Sequence, residues 1–379
     1  MDTRIHQGFF IIADISGYTR FVANHDLEHA QGVLNDLLSL MMERLSAPLQ
    51  FVELEGDAVF VFAPDQSVTD SENLLDIVEA CYAAFRFRVE QMAINTTCTC
   101  TACSAIPSLD LKCVAHFGRY AKQKTPTGYQ LVGPDVTLTH LLLKNSVIEK
   151  TGIKSYALLT DAFIQKSPTL RGDHRKDVVQ MKVYEAQLDS FGTVQAGVTD
   201  LSASLEKHRQ RFRDNLDAAP LDLEIVTSLN APASIVWSYV YDAEKRPLWQ
   251  NDIQSVKNIP AENGRTDIGW EGHCDHGAYM MKHRIVDWRP MERITMHSTT
   301  TGWTPLKPPP CQVDFIFEQQ SSHHCTVRFQ VRLRNASLWN KIIFKVFFVL
   351  IKKEWTAHFN RLVVYSAREY EAFMNTANN

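Results

Sequence analysis

Hydrophobic positions in the first half of the chain alternate between two periods. Gly8 to Asp14 contains the unbroken apolar run Phe9-Phe10-Ile11-Ile12-Ala13, which predicts a strand buried on both faces and ending on a carboxylate. From His25 to Leu45 the period changes. Ala30, Val33, Leu34, Leu37, Leu38, Met41 and Leu45 fall three or four apart and predict a helix with one apolar face. Leu49–Glu53 and Ala58–Phe62 read as strands flanking a hairpin turn at Glu55-Gly56-Asp57. A helix over Glu72–Met92, a strand over Leu109–Tyr120 and a hairpin partner over Gly128–Val132 follow. Gly133-Pro134-Asp135 then opens a helix over Val136–Lys144. This order predicts an α+β sandwich, one sheet covered by helices.

The second half has a different rhythm. A strand over Leu221–Leu229 leads into a short helix begun by Ala231-Pro232. Strands are predicted over Ile253–Asn258, Gly269–Cys274, Tyr279–Trp288, Glu292–Ser298, Gln312–Glu318 and Thr326–Leu333. A long helix from Leu338 to Asn375 closes the chain, with Trp355, Phe359, Leu362, Val363 and Tyr370 on its apolar face. All seven tryptophans lie at or after Trp237, and the stretch from Asp189 to Leu216 turns polar and charged. The chain therefore divides into a domain over 1–188, a linker over 189–216 and a second domain over 217–379. Ile342–Ile351 is apolar nearly all round but too short to span a bilayer. It reads as the buried start of the long helix, or as an interfacial or dimer contact.

Composition narrows the class without naming a function. The 379 residues are 45% hydrophobic and 22% charged, with a net charge of -4, as in ordinary soluble proteins. Such a balance gives no general attraction for nucleic acid or anionic lipid. No leader or membrane span is recognised, so a soluble, cytoplasmic protein is expected. In that compartment the eight cysteines are expected as thiols or metal ligands rather than disulfides.

Three groups of residues carry candidate chemistry. Asp14 and Asp57, on adjacent turns and with the Ile15 carbonyl, could hold one or two Mg²⁺ or Mn²⁺ ions. Alternatively, Asp14 caps the turn at Ser16 or Gly17 and Asp57 occupies a hairpin corner. Cys98, Cys100 and Cys103 have spacing that a structural Zn²⁺ can use, with Cys113 as the fourth ligand. The alternatives there are a reduced loop and a core position for Cys113, which shares a strand face with Leu111 and Ala115. In the second domain Trp270, Met280, Trp288, Phe315 and Phe317 either line an apolar pocket or fill the core. His273-Cys274-Asp275-His276 reads as a turn, since successive strand residues point to opposite faces and cannot converge on a metal. His323-His324-Cys325 reads as a hairpin corner. No phosphate-cradling glycine loop, Gly-x-Ser-x-Gly elbow or His-Glu-x-x-His motif occurs in the sequence.

Ala13-Asp14-Ile15-Ser16-Gly17-Tyr18-Thr19 resembles the first metal strand of class III nucleotidyl cyclases, and Glu53-Leu54-Glu55-Gly56-Asp57 resembles their second. Lys112–Gly118 is similar to a later core strand, and Gly133–Lys144 to the helix after the second hairpin. The likeness covers about residues 5–185. It extends to a branch of bacterial proteins related to adenylate cyclases that carry a Cys-rich insert, here about 95–113. The resemblance implies a ferredoxin-like sheet-and-helix domain, a homodimer, Mg²⁺ or Mn²⁺ on Asp14 and Asp57, and a nucleotide whose base is read by Glu53 and Gln130. Where the family has a transition-state Asn and Arg, this chain has Thr137 and Leu141. Leu229–Trp237, Lys245–Trp249, Gly269–Gly272 and Ile285–Pro290 resemble the START-like superfamily, also called polyketide-cyclase-like, SRPBCC or helix-grip proteins. That likeness implies a curved antiparallel sheet around a long helix, with a pocket for a hydrophobic small molecule or lipid. The combined expectation is a non-catalytic sensor that binds no nucleic acid. The alternative is an active cyclase regulated by its second domain.

Overall fold

The computed structural model describes residues 5–23, 27–68, 70–95, 100–125, 128–167, 170, 181–206, 221–261, 265–301, 309–334 and 338–377. The chain forms two compact units, Met1–Glu206 and Lys207–Asn379.

The first unit is organised around β1 (His6–Ser16). Its apolar run is buried on both faces because strands flank it on both edges and side chains cover it above and below. β3 (Ala58–Pro64) places Ala58 opposite Asp14, and β4 (Asp110–Thr125) places Lys112 opposite Asp14. With β2 (Gln50–Glu55), β6 (Tyr156–Thr160), β7 (Lys182–Leu188) and β8 (Gly192–Asp200), the sheet order is β2-β3-β1-β4-β6-β8-β7. β5 (Gly128–Val132) pairs with the far end of β4. Only β4 and β6 run parallel within these described ladders.

The helices are α1 (Tyr18–Ala23), α2 (Leu27–Arg44), α3 (Ser71–Asn95), α4 (Thr101–Ala105), α5 (Pro134–Leu141), α6 (Val147–Thr151) and α7 (Asp161–Ile164); residues 201–206 open α8. The predicted apolar face of α2 is buried at Ala30, Leu34, Leu37, Leu38 and Met41. On one side of the sheet Phe9 packs against Phe117 and Phe163. Phe10, Ile12, Phe60 and Phe62 form a second cluster with Tyr120, Leu131 and Val136, the last on α5. The terminal strand β2 exposes Phe51 and Leu54.

The linker expected from 189 begins later. β7 and β8 form a hairpin, and β8 pairs with β6, so the first sheet runs on to Asp200. Ala196 and Val198 are buried there, whereas Thr193 and Gln195 face solvent. Its largely exposed first half hid the strand in a polar stretch. Residues 207–216 lie outside the described residues.

The second unit is a seven-stranded antiparallel sheet of β9 (Leu223–Leu229), β10 (Ser255–Ile259), β11 (Glu271–Asp275), β12 (Met280–Arg289), β13 (Arg293–Thr301), β14 (Cys311–Ser321) and β15 (His324–Leu333). Its order is β10-β11-β12-β13-β14-β15-β9. α9 (Ala233–Tyr241) and α10 (Arg246–Trp249) precede it in part, and the forty-residue α11 (Leu338–Ala377) follows. Trp355 and Phe359 of α11 stack on Phe329 at 4.2 and 5.4 Å, and Phe359 also meets Trp249 at 5.6 Å. At the end of the apolar run Ile342–Ile351, Val349 and Leu350 are exposed, so that end is not core. Among the described residues no helix is long and apolar enough to cross a membrane.

A bulge interrupts β12: Ile285 faces Met296 but Asp287 faces Thr295, leaving Val286 as the extra residue. Below it Met281, His283 and Ile285 point inward; above it Trp288 does. Buried Asp314 on β14 ties three strands together, accepting from Arg293 and Arg332, each at 2.6 Å, and from Thr295 at 2.7 Å.

Candidate functional site

The carboxylate pair of the first unit is assembled by register. β1 delivers Asp14 beside Lys112 of β4, whose ammonium lies 2.8 Å from its Oδ2. The β2–β3 hairpin delivers Asp57, two residues after Glu55, through a turn in which Gly56 takes a left-handed φ of 68°. The Ile15 N–H donates to the Asp57 carbonyl at 3.3 Å and locks the hairpin tip against the end of β1.

Burial, the Asp14 charge and a hydrogen bond with Asp14 push the Asp57 carboxyl up to about 6, outweighing its own backbone hydrogen bond and Lys112. Two neighbouring carboxylates that raise one another's charging cost gain more from a divalent cation than from a single ammonium. The buried Ser16 hydroxyl, next along β1, has no hydrogen-bond partner. This all-oxygen donor set fits Mg²⁺ or Mn²⁺ rather than a soft metal.

Thr137 and Leu141 lie one helical turn apart on α5, both exposed, with the Thr137 hydroxyl turned back to the Gly133 carbonyl at 3.2 Å. His140, 3.0 Å from Glu55, ties the end of α5 to the β2–β3 hairpin, and Asp135, which accepts from the Arg119 N–H at 2.7 Å, anchors its start to β4. A Cβ on Gly118 would come within 2.3 Å of the Asp135 side chain, so glycine is required for that approach. Glu53 is half-buried on β2 and Gln130 exposed on β5. The link between these strands runs instead through the Tyr129 hydroxyl, 3.4 Å from Gln50 Oε1.

Three of the four cysteines of the predicted set lie among the described residues. Cys100 caps α4, its sulfur accepting from the Cys103 N–H at 3.4 Å, and both are half-buried. Cys98 lies outside the described residues. Cys113 is buried in the middle of β4 opposite Ala13, and burial pushes its thiol well above the usual range. It occupies the core position that the shared face with Leu111 and Ala115 offered as the alternative.

The second unit holds a cavity of about 340 Å³, but the predicted aromatics do not line it. Trp288 and Phe317 pack on Trp237 at 4.7 and 5.0 Å, Phe315 on Phe329 at 5.1 Å, and Trp270 covers Gly272. These four are core. Met280 is exposed at 38%, because the bulge at Val286 gives Met281 rather than Met280 the inward position. The apolar wall consists of residues such as Met281, Val313, Phe329, Val331 and Trp355.

Its polar end contains His283, Asp252, His276, Glu354 and His358. Burial and the neighbouring Arg246 guanidinium, 3.4 Å away, hold His283 well below its usual range and thus neutral. His273, Cys274 and Asp275 extend β11 rather than form the predicted turn; only His276 lies past its end. No sequence motif announced the Asp252–His358 grouping, whose members come from separate segments.

Residues 34–151 match the model of a family described as "Protein of unknown function (DUF2652)", spanning Asp57, the cysteine segment and α5 but not β1. A curated relative, the Mycobacterium tuberculosis "Uncharacterized protein Rv2561/Rv2562", is 35% identical over 117 residues, 31% of this chain and 52% of its own length. The chain thus spans about half the length of that relative. Among solved structures, the adenylyl cyclase CyaB from P. aeruginosa is 17% identical with a TM-score of 0.39, covering 53% of this chain and 97% of its own. The guanylyl cyclase Cya2 is 14% identical with a TM-score of 0.38, covering 52% of this chain and 94% of its own.

Proposed function

We propose that this chain is a non-catalytic sensor. Its first unit is a degenerate cyclase-like module that binds a divalent cation and a nucleotide. Its second unit, START-like in our reading, takes a hydrophobic small molecule in the cavity behind Met281 and Phe329. The observation that carries this reading is the combination of a charged pair, Asp14 and Asp57, with an α5 face that presents Thr137 and Leu141. Oxygen ligands for Mg²⁺ or Mn²⁺ remain, so the ion can hold a triphosphate. A methyl-bearing hydroxyl and an isobutyl group supply no positive charge to a developing phosphorane. By analogy with arginine fingers, that loss lowers turnover by about 10³–10⁵.

The test is an assay of the purified chain with Mg²⁺ or Mn²⁺ and each of the four nucleoside triphosphates, alongside a binding titration. Metal-dependent nucleotide binding without cyclic product, lost in Asp57→Ala, is expected. Cyclic nucleotide formation abolished by Asp57→Ala would establish the enzyme instead.

A further inference from the structure

Three segments meet at the polar end of the second unit's cavity. Asp252 follows α10, His276 follows β11, and Glu354 and His358 sit four apart on one face of α11. Asp252 Oδ1 is 3.2 Å from His358 Nε2, and its Oδ2 is 2.9 Å from His276 Nδ1. One donor atom each from Asp252, Glu354 and His358 lies within 4.8 Å of the other two. Ligands bonded at about 2.0 Å to a tetrahedral ion stand about 3.3 Å apart, so Asp252 and His358 already have a ligand pair's separation. Glu354 is exposed, and a rotamer change brings its carboxylate in. Arg361 reaches the other His358 nitrogen only at 3.5 Å and is engaged by Asn251 at 2.6 Å. Without an ion, Nε2 faces Asp252 and Nδ1 faces this donor; binding an ion through Nε2 moves the proton to Nδ1 and leaves Arg361 with Asn251.

A second observation points to a ligand at the same place. The His276 side chain is 7% exposed, and its Nε2 is buried without a hydrogen-bond partner. With Nδ1–H donated to Asp252, Nε2, on the other side of the ring, is a bare acceptor on a residue that lines the cavity. Buried acceptors of this kind are normally satisfied, and an ion-bound water is a suitable donor.

We propose that Asp252, Glu354 and His358 bind one divalent ion of the zinc class, with His276 orienting Asp252 and the remaining coordination position open to the apolar cavity. Imidazole with carboxylates selects zinc, cobalt or nickel over magnesium or calcium, which separates this site from the all-oxygen pair of the first unit. Three protein ligands and one open position would let the ion bind the oxygen head of an apolar molecule lodged among Met281, Val313 and Phe329. The site stands whether or not the first unit binds a nucleotide.

The experiment is a Zn²⁺ titration of the chelator-stripped full chain against a competing chromophoric chelator, with Co²⁺ absorption as a second readout. The titration is repeated in a Cys100→Ser/Cys103→Ser background to remove any thiolate-bound ion. One equivalent that persists in that background is expected, with a cobalt spectrum lacking thiolate charge transfer. Glu354→Gln and His358→Gln should each weaken it at least ~10-fold, and His276→Phe ~10–100-fold as an outer partner. Circular dichroism confirms folding, and exposed Glu354 provides a variant in which the core is untouched. Unchanged zinc affinity in Glu354→Gln and His358→Gln, or loss of the equivalent in the cysteine background, would overturn the assignment.

Discussion

Asp57 shows how one side chain can be read for both stability and function. Its carboxyl is lifted from 3.8 to about 6, first by burial and then by Asp14. Between those two values the folded chain holds more protons than the unfolded chain. Stability therefore falls as pH rises through that window, and the penalty is complete above about 6. Asp57→Asn removes the penalty. Because the group is only half-buried, screening limits the gain to about 1 kcal/mol, or ~2–4 °C in melting temperature. In metal-free buffer the variant should melt higher than the parent at about pH 8, the difference vanishing near pH 4. Mn²⁺ should raise the parent's melting temperature and not the variant's. A variant that melts lower at about pH 8 would make Asp57 a structural turn residue. At this scale the sequence was informative where a carboxylate interrupted an apolar run, as at Asp14. It was silent at Asp252, whose partners are distant in the chain, and Glu354 and His358 look like an ordinary polar helix face.

Individual elements were legible wherever one period persisted. The runs of β1, α2, α3 and β12–β15 were all visible, because each buries one continuous face or both. Failures occurred where the period broke or the burial was partial. β8 buries only the short run Ala196–Thr199 after a largely exposed first half with Thr193 and Gln195, so its polarity resembled a linker. In β12 the bulge at Val286 reverses parity, so Met281 rather than the expected Met280 takes the inward side. Register is also fixed by polar pairing, as Asp314 shows. Its carboxylate is fully buried and answers two guanidinium groups from neighbouring strands. Asp314→Ala leaves both arginines without their anion and should destabilise the second unit by about 3–5 kcal/mol. Urea denaturation followed by tryptophan fluorescence measures this unit selectively, since all seven tryptophans lie at or after Trp237. An unchanged midpoint would mean that the arginines re-pair with solvent at no cost.

Across the whole chain, two separate cores divide the chemistry. An oxygen-donor pair suited to hard cations lies in residues 1–206, and an apolar cavity with a histidine–carboxylate end lies in 207–379. The modest net charge of -4 gives little long-range repulsion between copies. Colloidal behaviour then depends on local surfaces, and the edge strand β2 is one of them. It ends the first sheet, and its outward Phe51 and Leu54 sit beside a row of backbone donors and acceptors facing away from β3. Leu54→Lys should raise the concentration at which the solution scatters light, with the melting temperature unchanged. Equal clouding of parent and variant would exonerate this strand. The strand that carries Glu55 to the edge of the carboxylate pair would thus also set how crowded a solution of this protein can become before it turns turbid.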